Sequence, residues 1–409
     1  MNARRVSFIM AMLFAALGVF SGRACAQGST CPGMTVGQLT SLNGYVPFPA
    51  NSLWNTNISG ATVDPNSANI INFIGSSVTL HPDFGSGTYS GQSIGIPYQV
   101  VAGTQAKVNV ALGTYASESD PGPQPIPPTA LIEGYPKSSK GDRHVLVLDK
   151  DNCWLYELYG ASLSRKGDWS AASSAIWDLT SNEQRPYTWT SADAAGLPIF
   201  PGLARYDEVA AGAINHALRF TLPTTLQGFT PPASHWPSSN TSQYAPPMGM
   251  RLRLRSTFDT SGYPAQAQVI LKALKTYGMI LADNGSAIYL SGAPNSGWNN
   301  TDLNSLKHVT AADFEVILIN PLYTPASAPT GPAPSIGSFT SSAMGTVFAG
   351  AQVKLTWSVI NSEYNIIAPQ AGPVRGTSVI VMPSVTTTYT LYSTNQYGRT
   401  SRSVTVAVQ

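Results

Sequence analysis

Short apolar runs separated by polar turns follow one another along most of the chain. Residues 144–148 and 153–159 are two such runs, and the polar segment between them predicts a turn that joins two strands. Residues 279–282 and 287–290 repeat this arrangement around Asp283-Asn284-Gly285-Ser286 and predict a second hairpin. Alternating apolar and polar positions predict further strands, over residues 215–222 and 251–255.

Helical periodicity is rarer. Apolar positions three and four residues apart predict a helix over residues 264–277, which Pro264 can begin and Gly278 can end. A capping-like pattern at residues 190–193 predicts the start of another helix. Shorter helices are expected over residues 66–74, 205–211 and 302–306. Because strand patterns dominate, we predict a mainly β fold: a β-sandwich or jelly-roll-like domain with a few peripheral helices.

Composition divides the chain into four segments. Arg4 and Arg5 precede an apolar run, and Ala24-Cys25-Ala26 is a small-residue cleavage pattern. Residues 1–26 are therefore predicted to be a signal peptide, and the protein is expected to be secreted to the extracellular space or the periplasm. Three further segments follow: a main β-rich domain over 27–322, a Pro/Ala/Thr linker over 323–334, and a segment over 335–409 with strands at sandwich-like intervals.

Two resemblances refine this division. The segment 335–409 resembles bacterial Ig-like modules through Lys354-Leu-Thr-Trp-Ser, Thr386-Thr-Thr-Tyr-Thr-Leu and Val404-Thr-Val. That resemblance implies a smaller Ig-like β-sandwich that acts as a spacer or attachment unit and carries no catalysis. Residues of about 45–320 contain five further motifs: His81-Pro-Asp-Phe-Gly, Glu118-Ser-Asp-Pro-Gly-Pro, Gly141-Asp-Arg-His-Val-Leu-Val-Leu-Asp, Arg205-Tyr-Asp-Glu-Val and Tyr277-Gly-Met-Ile-Leu-Ala-Asp-Asn-Gly-Ser. Through these motifs this segment resembles an uncharacterised family of secreted bacterial proteins, which implies no particular activity.

Net charge excludes some classes of partner. The whole chain has 23 basic and 21 acidic residues. Loss of Arg4, Arg5 and Arg23 with the signal peptide leaves 20 basic residues against 21 acidic ones, a net charge of −1. Neither nucleic acid nor an anionic membrane surface is expected to bind such a chain. Cys31 and Cys153 remain after cleavage, and an oxidising compartment permits a disulfide between them.

Titratable residues concentrate between positions 115 and 159, although only 11% of the chain is charged. Glu118 and Asp120 would point the same way from a strand, and glycoside hydrolysis requires two carboxyl groups with different protonation states. The alternatives are a turn capped by Asp120 and, for Asp207, stabilisation of a helix N-terminus. We take as catalytic candidates Glu118, Asp120, Glu133, His144 and Asp207.

Aromatic residues favour a carbohydrate ligand. Several tryptophans lie in polar, loop-like settings, where an exposed indole face can stack on a sugar ring. The candidates for substrate binding are Arg143, Trp169, Arg205, Tyr206, His216 and Trp298. The five histidines are scattered and no phosphate-binding loop is present, so neither a metal nor a cofactor is expected.

The sequence thus predicts a secreted enzyme that hydrolyses a polysaccharide or cell-wall glycan. Two alternatives stay open. One is a polysaccharide lyase that uses His, Tyr and Arg side chains, and the other is a non-catalytic protein of glycan binding or adhesion. Convergence of the acids of residues 118–144 in a cleft would favour an enzyme, whereas a flat aromatic face would favour a binder.

Overall fold

The computed structural model describes residues 31, 33–138 and 140–409, so the predicted signal peptide lies outside the described residues. The fold is mainly β, with 32% strand and 11% helix, which confirms the predicted class. No helix among the described residues has the length and apolar character needed to cross a membrane.

The larger part of the chain contains sixteen strands and four α-helices among its described residues. The strands are β1 (Gly37–Gln38), β2 (His81–Asp83), β3 (Thr88–Tyr89), β4 (Gln92–Ser93), β5 (Tyr98–Val101), β6 (Val110–Leu112), β7 (Val145–Asp149), β8 (Trp154–Tyr159), β9 (Ser162–Leu163), β10 (Trp169–Ala171), β11 (Ser173–Asp178), β12 (Leu218–Leu222), β13 (Arg251–Leu254), β14 (Met279–Asn284), β15 (Tyr289–Ser291) and β16 (Phe314–Val316). The helices are α1 (Ser67–Ile74), α2 (Tyr206–Ala210), α3 (Ala265–Thr276) and α4 (Asn300–Asn304).

The middle layer of this part is a five-stranded sheet in the order β1-β5-β7-β8-β11. Its strand β7 forms the predicted antiparallel pair with β8. Leu146 and Leu148 of β7 belong to the core shared with the six-stranded sheet, whereas Val145 and Val147 belong to the core shared with the three-stranded sheet β6-β10-β9. Because both faces are covered, β7 is apolar at consecutive positions.

The six-stranded sheet has the order β16-β13-β14-β12-β15-β2. The predicted hairpin of β14 and β15 is wrong, because β12 lies between them, parallel to β14 and antiparallel to β15. Leu218, Phe220 and Leu222 of β12 are almost fully buried, and this removal of apolar area from water favours the central position of the strand. The Arg219 side chain points from the opposite face of β12 and is also buried.

Local helix predictions were confirmed where apolar periodicity supported them. Helix α3 begins after Pro264 and ends before Tyr277, and it packs against β13. No helix begins at residues 190–193, which form turns. The side chain of Ser191 accepts the Asp193 N–H at 2.8 Å, but the Asp193 carboxylate binds an arginine instead of capping a helix. Glu118 ends a short 3₁₀ helix, Ala116–Glu118, rather than lying on the expected strand.

Residues 335–409 form a second, smaller sandwich. Its strands are β17 (Ser335–Ser341), β18 (Val353–Ile360), β19 (Tyr364–Ala368), β20 (Gly372–Val374), β21 (Ser378–Val381), β22 (Thr387–Asn395) and β23 (Gly398–Val406). They make two sheets, β17-β18-β21 and β20-β19-β22-β23, which enclose one core around Trp357, Tyr389 and Leu391. We call this segment the C-terminal module.

The C-terminal module contacts the larger part directly. Arg375 donates two hydrogen bonds to Asp178, at 2.8 and 2.6 Å, and its guanidinium lies 4.3 Å from the centre of the Trp154 ring. Tyr364 and Ile366 join the core beneath the five-stranded sheet. The predicted linker is also held in place, because Tyr323 and Phe229 exchange backbone hydrogen bonds at 2.8 Å. The module is therefore packed on the larger part.

The structure pairs Cys31 with Cys153, at a Cα–Cα distance of 5.5 Å. Cys153 occupies the turn between β7 and β8 with φ of +56°. The disulfide thus fastens the first described residue to the middle layer of the larger part.

Candidate active site

A cleft of about 380 Å³ opens where the start of β7 meets the ends of β2, β12, β14 and β15. This volume lies within the usual range of small-molecule sites. The acidic, histidine and arginine side chains that line it define what we call the central cleft: Asp83, Glu133, Asp142, His144, Arg219 and Asp283.

Strand geometry explains why these side chains meet. The pairing of β12 with β14 shifts register after Phe220, so that Leu281 opposes Phe220 while Asp283 opposes Thr221. Such bulges are common beside active sites, where they redirect a side chain. On the other side, Asp83 at the end of β2 pairs with Ser291 at the end of β15. Asp283 therefore lies on the strand next to β12, which carries Arg219, and Asp83 lies on the opposite side of β12, two strands away.

Glu133 and His144 form the first ion pair of the cleft. His144 Nδ1 donates to Glu133 Oε2 at 2.7 Å, and the backbone N–H of His144 reaches the same oxygen at 3.2 Å. His144 Nε2 donates to the carbonyl oxygen of Ala192 at 3.1 Å. Since both ring nitrogens face acceptors, His144 is held as an imidazolium cation.

Arg219 forms the second ion pair. Its Nε and Nη2 donate to the two carboxylate oxygens of Asp193 at 2.8 and 2.9 Å, and its Nη1 donates to Ser291 Oγ at 2.6 Å. A longer contact of 3.3 Å joins Nη2 to Asp283 Oδ2. Arg219 and Asp193 are both buried, so this bidentate pair is a fixed part of the cleft wall.

The surroundings of Asp283 and Glu133 shift the pKa values of these two acids in opposite directions. Burial and the charge of Asp193 raise the pKa of Asp283 to about 7, although Arg219 and His144 oppose this rise. Burial also tends to raise the pKa of Glu133, but the charge and hydrogen bonds of His144 outweigh it and hold the pKa below its ordinary value. One carboxyl group is therefore half protonated near neutral pH while its neighbour is ionised.

The remaining groups fit the same pattern. Burial and the charge of Glu133 raise the pKa of Asp83. Burial by itself lowers the pKa of His144, but Glu133 reverses this effect and raises it to about 9. His144 thus keeps its charge throughout the neutral range and cannot act there as a base.

The structure places Asp120 away from the central cleft. Asp120 is 0% exposed, and it binds Arg185 at 2.6 Å as well as Arg399 of the C-terminal module. It also accepts hydrogen bonds from the Ile176 N–H at 2.9 Å and the Tyr364 hydroxyl at 3.2 Å. Because the carboxylate of Asp120 is fully buried and bound by these four groups, we assign Asp120 a structural role.

Glu118 and Asp207 are also occupied by protein contacts. Glu118 Oε2 accepts the Thr190 N–H at 2.7 Å, near one end of the cleft but not among the groups that line it. Asp207 Oδ2 accepts the Leu42 N–H at 2.9 Å and so holds the segment before α1. Of the five catalytic candidates, the central cleft brings together Glu133 and His144.

Arg205 and His216 belong to a separate buried network. Both pair with Glu208, and His216 Nε2 donates to Glu208 Oε1 at 3.1 Å. The network joins α2 to the segment just before β12. Its members do not line the central cleft. Arg143 precedes His144 with φ of +53°, and its Nε is buried without a hydrogen-bond partner among the described residues.

The expectation of exposed indole faces is wrong for Trp169 and Trp298, which are each 3% exposed. Trp169 lies on β10 inside the core of the three-stranded sheet. Trp298 donates to the Ala293 carbonyl at 2.9 Å and packs edge-on against Tyr206 at 5.4 Å. Both rings have polar neighbours in the sequence, but they are packed inside the protein.

Sequence reasoning missed Asp193, Arg219 and Asp283 as site residues. Their positions fall within a predicted helix start at residues 190–193, a predicted strand over residues 215–222 and a predicted hairpin turn at Asp283. One usable signal was present, because Asp283-Asn284-Gly285-Ser286 follows a buried strand directly. The pairing of Arg219 with acids 26 and 64 residues away left no local pattern.

Among the described residues, no group of three or more His, Cys, Asp or Glu side chains is arranged to hold a metal ion. No protein-family model matches the chain, and a search of curated proteins finds no similar sequence. The function therefore has to be inferred from the chemistry of the central cleft.

Proposed function

We propose that the protein is a glycoside hydrolase that acts on a polysaccharide. The observation that carries this proposal is that Asp283 and Glu133 line the same cleft, where burial raises the pKa of Asp283 to about 7 and His144 lowers the pKa of Glu133. Pairs of acids separated in this way supply the protonated and the ionised group that glycoside hydrolysis needs. Secretion and the Ig-like character of the C-terminal module belong to the same proposal.

Each acid has a defined role in the proposed reaction. Asp283 donates its proton to the glycosidic oxygen as the bond from that oxygen to the anomeric carbon breaks. Glu133 provides negative charge on the opposite side, where it attacks the anomeric carbon or removes a proton from water. One water molecule is consumed, and its hydroxyl group ends on the anomeric carbon. His144 and Arg219 are positioning residues that keep Glu133 ionised and hold Asp283 in place.

The same contacts disfavour the lyase alternative. A lyase needs an unoccupied cation to neutralise a uronate carboxylate and a neutral base to abstract the proton. Arg219 is already bound to Asp193, Ser291 and Asp283, and His144 is bound through both ring nitrogens. Neither side chain is free for those tasks. Lys140 lines the cleft as an exposed cation, but His144 is not available there as a neutral base.

The proposal is tested with purified protein on neutral polymers (mixed-linkage β-glucan, arabinoxylan, galactomannan and arabinan) and on the anionic polymers alginate and polygalacturonate. We expect new reducing ends from a neutral polymer. Asp283→Asn and Glu133→Gln should each lower kcat by about 100-fold or more. The matched control is Asp259→Asn, because Asp259 is an exposed loop acid that bonds only to Ser261 among the described residues.

The pH profile provides an independent readout. Activity should decline above about pH 7, as Asp283 loses its proton. Asp193→Asn removes the charge that helps to raise the pKa of Asp283, so the alkaline limb should move to lower pH. Unsaturated products would favour a lyase. Retardation of the protein by a polymer that is not cleaved would favour a binder, and full activity of both acid variants would refute the assigned roles.

A further inference from the structure

The central cleft continues in two directions. Towards His81 it joins a depression lined by Asn300, Asn304 and Lys307, which shares Asp83 and Tyr289 with the cleft. We call this the His81 end. Towards His235 it joins a second depression, which shares Asp142, Asp283 and Asn284 with the cleft. We call this the His235 end. The groove therefore extends past the two proposed catalytic acids on both sides.

The His81 end presents aromatic rings to the groove. Tyr289 stacks on His81 with ring centres 4.1 Å apart and planes within 11°. Tyr89 stands on the short hairpin of β3 and β4, lines both the central cleft and the His81 end, and is 78% exposed. A ring so exposed contributes little to the core, yet it can cover the apolar face of a sugar.

The His235 end presents rings as well. Tyr115 and Tyr159 line it with ring centres 6.4 Å apart, and Tyr115 is 41% exposed. The Tyr159 ring also lies 5.8 Å from the ring of His144. Aromatic surface is thus available on both sides of the acids, as a ligand that extends in both directions requires.

The charged side chains of the groove restrict which type of glycan can bind there. The two cations at the centre, His144 and Arg219, are each paired with a carboxylate. Asp83 and Asp142 add further negative charge, and Asp142 also lines the His235 end. Among the described residues of the groove, the other lysine and arginine side chains are Lys140 and Lys307, and neither forms an ion pair with a described acid. The carboxylates at the centre would therefore repel the acid groups of a polyuronate, whereas they would not repel a neutral chain.

We infer that the groove binds an internal stretch of a neutral glycan chain and that the enzyme cuts the chain away from its ends. This inference rests on the proposed function and specifies its substrate class. A groove open on both sides of the acids admits the middle of a polymer, whereas a closed pocket would accept only a chain end. Tyr89 and Tyr115 are the stacking residues on the two sides.

The experiment compares viscosity and reducing ends during digestion of the neutral polymer that is cleaved, before and after borohydride reduction of its chain ends. We expect viscosity to fall well before reducing ends accumulate, and chain-end reduction to leave the rate unchanged. Tyr89→Ala and Tyr115→Ala should each raise KM about tenfold with little change in kcat, since about 1.4 kcal/mol of ring contact is lost. Tyr89→Phe and Tyr115→Phe keep the ring and should stay near the original KM.

The outcomes separate the two proposals. Release of only mono- or disaccharide from the start, or a KM that neither alanine variant changes, overturns internal cleavage and leaves the hydrolase proposal standing. Absence of hydrolysis of all four neutral polymers by the unaltered protein overturns the hydrolase proposal and this inference together. Because both tyrosines are exposed, the alanine variants are expected to fold.

Discussion

The substitution Asp120→Asn distinguishes a structural acid from a catalytic one. Asp120 lies between the Arg185 guanidinium, which is 1% exposed, and the Arg399 guanidinium, which is 11% exposed. The amide side chain has almost the same shape and still accepts a hydrogen bond from the Ile176 N–H. It carries no charge, however, so two arginines would remain close together with no anion between them.

The magnitude follows from burial. Removing one partner of a buried ion pair costs about 3–5 kcal/mol, because the remaining charge stays out of water. Arg399 can regain some hydration, and Arg185 keeps its hydrogen bond to the Thr190 carbonyl at 2.8 Å. We therefore expect a loss at the lower end, about 3 kcal/mol in the free energy of unfolding.

The assay is urea unfolding followed by tryptophan fluorescence and circular dichroism. Glu118→Gln is the matched control, since its single described side-chain hydrogen bond comes from the Thr190 N–H, and an amide oxygen can accept that bond too. We expect it to change stability by less than about 1 kcal/mol. A double-mutant cycle with Arg399→Met should give a coupling of at least about 1 kcal/mol between Asp120 and Arg399.

A catalytic role for Asp120 predicts a different result. If Asp120 were the acid or the nucleophile, Asp120→Asn would abolish hydrolysis and leave stability nearly unchanged. A loss of stability below about 1 kcal/mol, together with loss of activity, would refute the structural assignment. Retained kcat at a temperature where the variant is folded would support it.

Two further predictions concern stability. The pKa of His144 is raised from 6.5 to about 9, so its contribution is complete below pH 6.5 and is lost as the pH rises through 9. This contribution is about 3 kcal/mol, and urea unfolding at several pH values should show the loss in the unaltered protein and a flatter dependence in Glu133→Gln. The Cys31–Cys153 disulfide joins residues 122 positions apart, and loop-closure entropy predicts that Cys31→Ser with Cys153→Ser costs about 4–5 kcal/mol. Unfolding with and without reductant measures this cost, and no difference would show that the disulfide does not constrain the unfolded chain.

Local pattern was sufficient to predict the elements whose side chains follow one period. The bounds of β7, β8 and α3 agree with the prediction within one or two residues, because a short apolar run marks each strand and apolar residues recur at helix spacing in α3. Glu133 and His144 were predicted as site residues because they lie 11 residues apart in the most strongly charged stretch. These features depend on sequence neighbours.

The rest of the site depends on partners that are distant in sequence. The insertion of β12 between β14 and β15 joins residues about 60 positions apart and has no signature in the turn at Asp283. The sequence predicts Asp120 as catalytic because an acid beside a second acid resembles a catalytic pair, but the two arginines that bind it lie 65 and 279 residues later. Tryptophan burial was missed for the same reason, since polar neighbours in sequence do not reveal what covers a ring.

The position of Arg399 also sets an order of events during synthesis. Arg185 follows Asp120 by 65 residues, whereas Arg399 follows it by 279. At about 5–20 residues per second, Asp120 waits about 14–56 s for its second cation. During that interval the apolar face that Tyr364 and Ile366 later cover also stays open. A premature stop before residue 399 therefore leaves Asp120 with Arg185 as its one arginine partner and leaves an apolar surface in contact with water, and the loss is not only a shorter tail.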